Sequence, residues 1–507
     1  MATKVRDHEP ITISEFNGLW ARGDPDNTPL DHFQDCENIK YIGVNSFKTR
    51  DGIGILQNLK IPLSDIKRFY NYPTVNGNTL IVLAFNSLTN IGSIHHVIDS
   101  TTTYGPILSI VGMTDFAFFP YAGRAYISPF NTFSVGGLNI EKGLLNEFLY
   151  VYAGDGTNAR KAAGNPLSGS LTIANGAVGH TDSGFHLFAF VAETKSGYLT
   201  SPGAITGFTT SSGLSVSFGT VPTSGNPNIV KRHLVATKVI NNYNGDTQGY
   251  QFFFIPNATI NNDTDTFLNN ISFFDADLLE DAFHLIDNFS EIPAGAVLTL
   301  YHNRLCLATT FNDISLILVS AVGEPEAISQ IDGLIVVPPD GNPITNAQEL
   351  RDVFYVMKRS RTVSYPDNDD VPSSWPLVTV DNALGTFVHG IATVLDSGSS
   401  SIDFLIICTF QGISLFNGRY ITPELSWKID SYWKSLNRNE FHNIQIVNAP
   451  IQKELYVILP TRKLLVGNYA NGFDPKNFRW APWSFEIGMN TIAIVNIDQI
   501  VLGSGLL

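Results

Sequence analysis

Hydrophobic positions in this chain come in short bursts separated by turn residues. Thr79-Leu-Ile-Val-Leu-Ala-Phe85, Glu147-Phe-Leu-Tyr-Val-Tyr152, Phe185-His-Leu-Phe-Ala-Phe-Val191, Val353-Phe-Tyr-Val-Met357, Asp403-Phe-Leu-Ile-Ile-Cys408 and Glu454-Leu-Tyr-Val-Ile-Leu459 are rich in aromatic and β-branched residues and bounded by Gly, Asn, Asp or Pro. That pattern predicts strands. Between them stand Asn76-Gly77, Asn417-Gly418 and Asn471-Gly472, dipeptides suited to tight hairpins because both central residues of a type I′ turn need positive φ. One helix is predicted where Thr422-Pro423-Glu424 offers a cap, a first-turn proline and a first-turn acid, followed by Leu425, Ile429, Tyr432, Trp433 and Leu436 at helical spacing.

One hairpin repeats. Tyr121-Ala-Gly-Arg-Ala-Tyr-Ile-Ser128 returns 180 residues later as Tyr301-His-Asn-Arg-Leu-Cys-Leu-Ala308, and hairpins repeated around a centre make propellers. Between the copies, from about residue 164 to 287, the chain becomes rich in Thr, Ser and Asn. Short strands flank a Lys195-Ser-Gly turn and continue through Lys231–Lys238, Gly249–Ile255 and Phe267–Asp275, the size of an immunoglobulin- or fibronectin-like sandwich. The expectation is all-β: a β-propeller of about six or seven blades interrupted by an inserted immunoglobulin/fibronectin-like β-sandwich. The boundaries are an N-terminal arm over 1–36, a first propeller part over 37–165, the insertion over 166–287 and a second propeller part over 288–507. Arg124 and Arg304, one in each copy, are expected to brace blades.

Composition narrows the function. The chain has 507 residues, 44% hydrophobic and only 15% charged, with a formal charge of −15. No basic run offers the clustered Lys and Arg that phosphate-backbone binding draws on. Met1–Pro10 lacks a signal-peptide core, and no stretch is apolar enough to span a membrane, so synthesis in a cytosol is expected. Cys36, Cys306 and Cys408 are too scattered for a disulfide framework or zinc spacing and are expected to be buried apolar residues.

Motifs for chemistry are few. No Gly-x-Ser-x-Gly elbow, Walker loop or His-Glu-x-x-His occurs, so no catalytic residue, cofactor or metal is assigned. Tyr152-Ala-Gly-Asp-Gly-Thr157 lacks the Lys-Ser/Thr ending of a phosphate loop and reads as a blade turn. Asp24-Pro-Asp26, Asp275-Ala-Asp277 and Asp367-Asn-Asp-Asp370 lack the spacing of a calcium loop; solvated loops are the reading, with an ion site at Asp367–Asp370 as the alternative. His95 and His96 are neighbours in a strand and point to opposite faces, which disfavours shared ligation. Trp480, Trp483 and Phe485 could stack on sugars, but their alternation suits residues that fill gaps between blades.

A resemblance spans nearly the whole chain. Phe16-Asn-Gly-Leu-Trp20, Asp24-Pro-Asp-Asn-Thr-Pro29, Cys36-Glu-Asn-Ile39 and Lys48-Thr-Arg-Asp-Gly-Ile53 open it. Tyr150–Gly156 with Ala159-Arg160, His302-Asn-Arg-Leu305 with Gly323-Glu-Pro325, Gln411–Gly418 and Arg479-Trp-Ala-Pro-Trp483 follow. In this order they are similar to the tail nozzle or tail-hub family of short-tailed double-stranded DNA bacteriophages, also called tail tubular or DNA-stabilisation proteins. The resemblance implies a virion structural protein with no enzymatic activity, assembled in the host cytoplasm as a homo-oligomer, a hexameric ring, beneath the portal and adaptor proteins. Such a ring encloses the channel through which DNA passes without specific binding and helps retain and eject the genome; tail fibre or needle proteins are further implied partners. No gate loop or fibre-docking segment is recognisable. Phe16, Leu19 and Trp20 are expected to anchor a neighbouring subunit, or else to belong to a first strand that closes the ring against residues 490–507. The rival readings are a carbohydrate-binding adhesin or propeller glycosidase, and another distal tail or baseplate subunit.

Overall fold

The computed structural model describes residues 19–21, 29, 32–33, 36–42, 46–50, 64–131, 133–135, 138–140, 145–245, 249–282, 290–329, 331–395, 402–495 and 499–504. Phe16, Asp24 and Asp26 lie outside them. Strands dominate and form antiparallel sheets, which in the blades follow chain order and in residues 173–271 do not.

Six of these sheets are four-stranded blades. Their first, innermost strands are Ser64–Thr74, Asp115–Tyr121, Gly295–Tyr301, Ile344–Leu350, Ile391–Leu395 and Gln445–Ala449. A seventh, two-stranded sheet, Met489–Val495 with Gln499–Ser504, packs beside Ser64–Thr74 and completes the ring. The protein is an all-β propeller. Crowding of the first strands at the axis accounts for their small residues: Ala117, Ala296, Ala347, Ala392 and Ala493 are buried there.

Blades pack face to face through aliphatic and aromatic clusters. Ile81, Leu83 and Ile94 of the first blade meet Phe116, Phe118 and Ile127 of the second; Val297, Tyr301 and Cys306 of the third meet Phe354, Val356 and Trp375 of the fourth. Such interleaved burial is worth roughly 25 cal/mol per Å² removed from water, which is why the ring, not the single blade, is the stable unit. Cys36, Cys306 and Cys408 are all buried and none is in a disulfide, and burial pushes the Cys306 and Cys408 thiols up.

The echoed hairpins are equivalent turns of neighbouring blades. Ala122 and Gly123 (φ 48° and 75°) and His302 and Asn303 (φ 44° and 60°) both have the two positive φ angles of a type I′ turn. The turns also touch, the Tyr121 hydroxyl donating to Asn303 Oδ1 at 2.7 Å. A third such turn, Arg351-Asp352 (φ 51° and 59°), opens the fourth blade.

Between them the insertion folds as two sheets. One holds Ile173–Val178, Leu214–Phe218 and Leu268–Ile271; the other holds Thr206–Thr210, Gly184–Thr194, Ile229–Ala236 and Phe253–Ile260. They share a core of Phe188, Phe190, Val216, Phe218, Leu234 and Phe273. Its linkers run side by side: Lys161 Nζ reaches Glu291 at 3.2 Å, and Leu149 accepts from the Ala162 amide while donating to the Ile292 carbonyl, both at 2.8 Å. A guest whose ends meet in this way leaves the host strands in register.

Two expectations shift. The predicted helix is shorter and later: a 3-10 turn at Trp427–Ile429 leads into an α-helix at Asp430–Ser435, with Leu425, Ile429, Trp433 and Leu436 buried all the same. The apolar spacing was a packing signal, but Thr422-Pro423 belongs to the end of the fifth blade, not to a cap. The N-terminal segment lies one blade earlier than residues 490–507. Leu19 N donates to the Trp480 carbonyl at 3.1 Å, Asn38 N to that of Pro482 at 2.9 Å, and Trp483 Nε1 to that of Ile39 at 2.6 Å, because the outer strand of the sixth blade offers a free edge there.

Candidate functional site

The axis comes first, because every blade contributes to it. Its cavity of about 340 Å³ is lined by residues such as Phe118, Val297, Asn346, Ile391 and Ile494. At its edge lies a buried charge network. Arg68 Nε and Nη2 donate to the two oxygens of Asp115 at 3.0 and 2.9 Å, and Nη1 donates to Gln445 Oε1 at 2.9 Å. His389 Nε2 donates to Asp115 Oδ2 at 2.8 Å, and Gln445 Nε2 donates to the Ile492 carbonyl at 2.8 Å.

These groups come from five blades, counting His389 with the fifth. Arg68 is 5% and Asp115 4% exposed, so neither can fall back on water if the other is lost. Burial alone would raise the Asp115 carboxyl, but Arg68 and then His389 hold it well below the usual carboxylate range. Burial, then the Arg68 charge, pushes the His389 imidazole down, and the ring is neutral at physiological pH. The arrangement clamps the ring from within and narrows its axis. It offers no nucleophile beside a base, and its carboxylate is fully engaged.

A second polar centre joins the insertion to the ring. Glu326 is 5% exposed; it accepts from the Ala163 amide at 2.6 Å, the Ser196 hydroxyl at 3.0 Å and the Tyr126 hydroxyl at 3.2 Å. Arg124 engages the Tyr126 hydroxyl and adds its charge beside Glu326. Burial nevertheless pushes the Glu326 carboxyl up. Arg124 therefore sits where the second and third blades meet the guest. Arg304 stays within its own blade, Nη1 donating to the Ser320 carbonyl at 3.0 Å.

The third centre is open. Between the third and fourth blades lies a cleft of about 590 Å³, whose polar lining includes His302, Arg304, Asp332, Asp367 and Asp370. His302 Nδ1 is 3.0 Å from Asp367 Oδ2. Beside it, Glu349 and Asp352 bring carboxylate oxygens within 4.8 Å of one another and of a His302 nitrogen. Asp367 is thus a structured member of a cluster and not a freely solvated loop residue. Sequence reasoning missed His302, Glu349 and Asp352 because His302 lies on one hairpin and Glu349 and Asp352 on the next blade's, some 47 residues on; the echoed hairpin was the one available signal, and it marked a turn, not a ligand.

The remaining candidates are structural. Trp480 is fully buried and donates to the Leu425 carbonyl at 2.9 Å; Trp483 is 8% exposed, so neither presents a face to a sugar. His96 bonds Thr79 and Tyr152 at 2.8 Å each, and burial pushes it down to about 4. Asp275 Oδ2 caps the Val239 amide at 2.8 Å. Leu19 is buried against its own chain, in the cluster that holds Trp433 and Trp480. Trp20 packs edge-on to Trp427 and His32 of the same chain.

No family model and no curated protein sequence matches the chain. Among solved structures it is similar to Hsv2 of Kluyveromyces lactis (9% identity, 83% of this chain and 98% of that one, TM-score 0.30). It is also similar to apo AztD from Citrobacter koseri (10%, 88% and 98%, TM-score 0.30) and to the Neurospora crassa Pan2 WD40 domain (8%, 77% and 86%, TM-score 0.28). Likeness at this level carries nothing about activity.

Proposed function

We propose that the protein is a structural subunit of the tail nozzle or hub ring of a short-tailed double-stranded DNA bacteriophage. The observation that carries this reading is the ordered series of motifs from Phe16 to Trp483. Several of these motifs are tie points. Asn38 and Arg50 hold the N-terminal segment to Ser484, and Asn303 joins two blades. A rigid, internally clamped propeller with a net charge of −15 suits a building block that must border a polyanion without trapping it.

The clamp adds a requirement. With Arg68, Asp115 and His389 drawn together beside the axis, a DNA passage has to be lined by several copies and cannot be the channel of one. The resemblance supplies the ring of copies, a hexamer beneath portal and adaptor proteins, and the clamp is compatible with it. Native mass spectrometry of the purified protein, alone and with portal–adaptor rings, tests it. A closed oligomer or a portal-bound ring is expected; a monomer that never joins those rings overturns the proposal.

The open cleft favours one second reading, carbohydrate binding with Asp367 and Asp370 as polar contacts. Glycan-array binding lost on Asp370→Ala would support it.

A further inference from the structure

Tyr301 is fully buried, and its hydroxyl works in two directions: it donates to the Asp352 carbonyl at 3.0 Å and accepts from the Asp367 amide at 3.1 Å. Its ring stacks on His302 with centroids 4.1 Å apart, on Phe354 at 5.0 Å, and edge-on to Trp375 at 5.3 Å. One buried side chain therefore fixes the backbone of two acidic turns and the plane of the imidazole above them. The groups so fixed are not placed by solvent-exposed chain alone.

The imidazole has a defined polarity. Asp367 uses Oδ1 to accept from the Asp369 amide at 2.9 Å and Oδ2 to face His302 Nδ1 at 3.0 Å, so Nδ1 carries the proton. Nε2 is then the unprotonated nitrogen, with a lone pair to give. Its distance to Asp352 Oδ1 is 4.0 Å, beyond a hydrogen bond yet suited to two donors sharing one ion. Glu349 completes the set from the strand that precedes the turn, all ligand atoms lying within 4.8 Å. A carboxylate behind a histidine that faces outward with its other nitrogen is the arrangement that orients metal ligands.

We infer that His302 Nε2, Glu349 and Asp352 form a binding site for a divalent first-row transition metal, with Asp367 as the positioning residue. An imidazole with two carboxylates suits Zn²⁺ and its neighbours better than Ca²⁺ or Mg²⁺, which take oxygen ligands alone. The ion joins the third blade to the fourth. Because Asp352 is 90% exposed, its remaining coordination positions face solvent and can accept water or an oxygen donor from outside the chain. The site does not depend on the nozzle reading.

Isothermal titration of the chelator-treated full-length protein with ZnCl₂ tests it. One equivalent should bind, and CaCl₂ should not compete. His302→Asn keeps a residue tolerant of positive φ and should abolish that equivalent, as should Glu349→Gln; Asp367→Asn should weaken it about 10–100-fold. Thermal unfolding gives an independent readout: Zn²⁺ should raise the Tm of the parent protein and leave that of a folded His302→Asn variant unchanged. Absence of a stoichiometric Zn²⁺ site, or one that survives both His302→Asn and Glu349→Gln, overturns the inference.

Discussion

A single substitution can separate an ion pair that closes a ring from one that merely decorates a surface. Asp115 accepts from Arg68 twice and from His389 once, and neither Asp115 nor Arg68 has water to replace a lost partner. Asp115→Asn is expected to lower unfolding stability by about 3–5 kcal/mol, the range for stranding one half of a buried pair, as measured by urea denaturation. A loss below about 1 kcal/mol would mean the pair behaves like a surface one. In the opposite direction, Ala122 holds φ 48° in its turn, where an alanine Cβ is crowded. Ala122→Gly should raise stability by about 0.5 kcal/mol, since relief of strain exceeds the added unfolded-state freedom.

At the scale of elements, Glu326 ties a guest domain to its host. Its carboxyl is raised by burial, so its contribution to the folded state is full below the unfolded pKa of about 4.3 and declines as pH rises through the folded value. Hydrogen exchange at Ala163, whose amide Glu326 holds at 2.6 Å, should therefore be slowest, after correction for intrinsic rates, in mildly acidic solution. Glu326→Ala should speed it at every pH; unchanged protection would show that the linkers, not the carboxyl, fix the insertion. The helix makes the complementary point. Its apolar face was legible in the spacing of Leu425, Ile429, Trp433 and Leu436 because burial selects the same positions in a broken helix as in a continuous one. Its start was not, since a first-turn proline is equally at home ending a blade.

For the whole molecule, the clamp couples folding to pH. Both of its titratable members, His389 and Asp115, have depressed folded values, and such groups stabilise above their unfolded pKa and lose that stability as pH falls. The Tm is expected to decline first below about pH 6.5, as the unfolded chain protonates His389 while the folded site resists, and again below about pH 4, as the same happens at Asp115. Scanning calorimetry across that range checks both steps, and a Tm constant from pH 7 to 4 would remove His389 from the account. Ring closure is the other global property: deleting residues 488–507 uncovers Phe69, Leu80 and Val82, which pack on Ala493 and Val495, and should give insoluble protein. By itself the sequence determined the strands, the hairpin tips at Ala122-Gly123 and His302-Asn303, and the alternation that buries Trp480, because period, turn chemistry and burial act within a few residues; the type I′ form expected at Asn76-Gly77, Asn417-Gly418 and Asn471-Gly472 is absent there, since only the glycine of each pair has positive φ. Only the tertiary structure decided what meets at the axis and in the cleft. Arg68, Asp115, His389 and Gln445 are drawn from separate blades, as are His302 and Glu349, and a closed ring brings together residues whose separation along the chain leaves no local pattern to read.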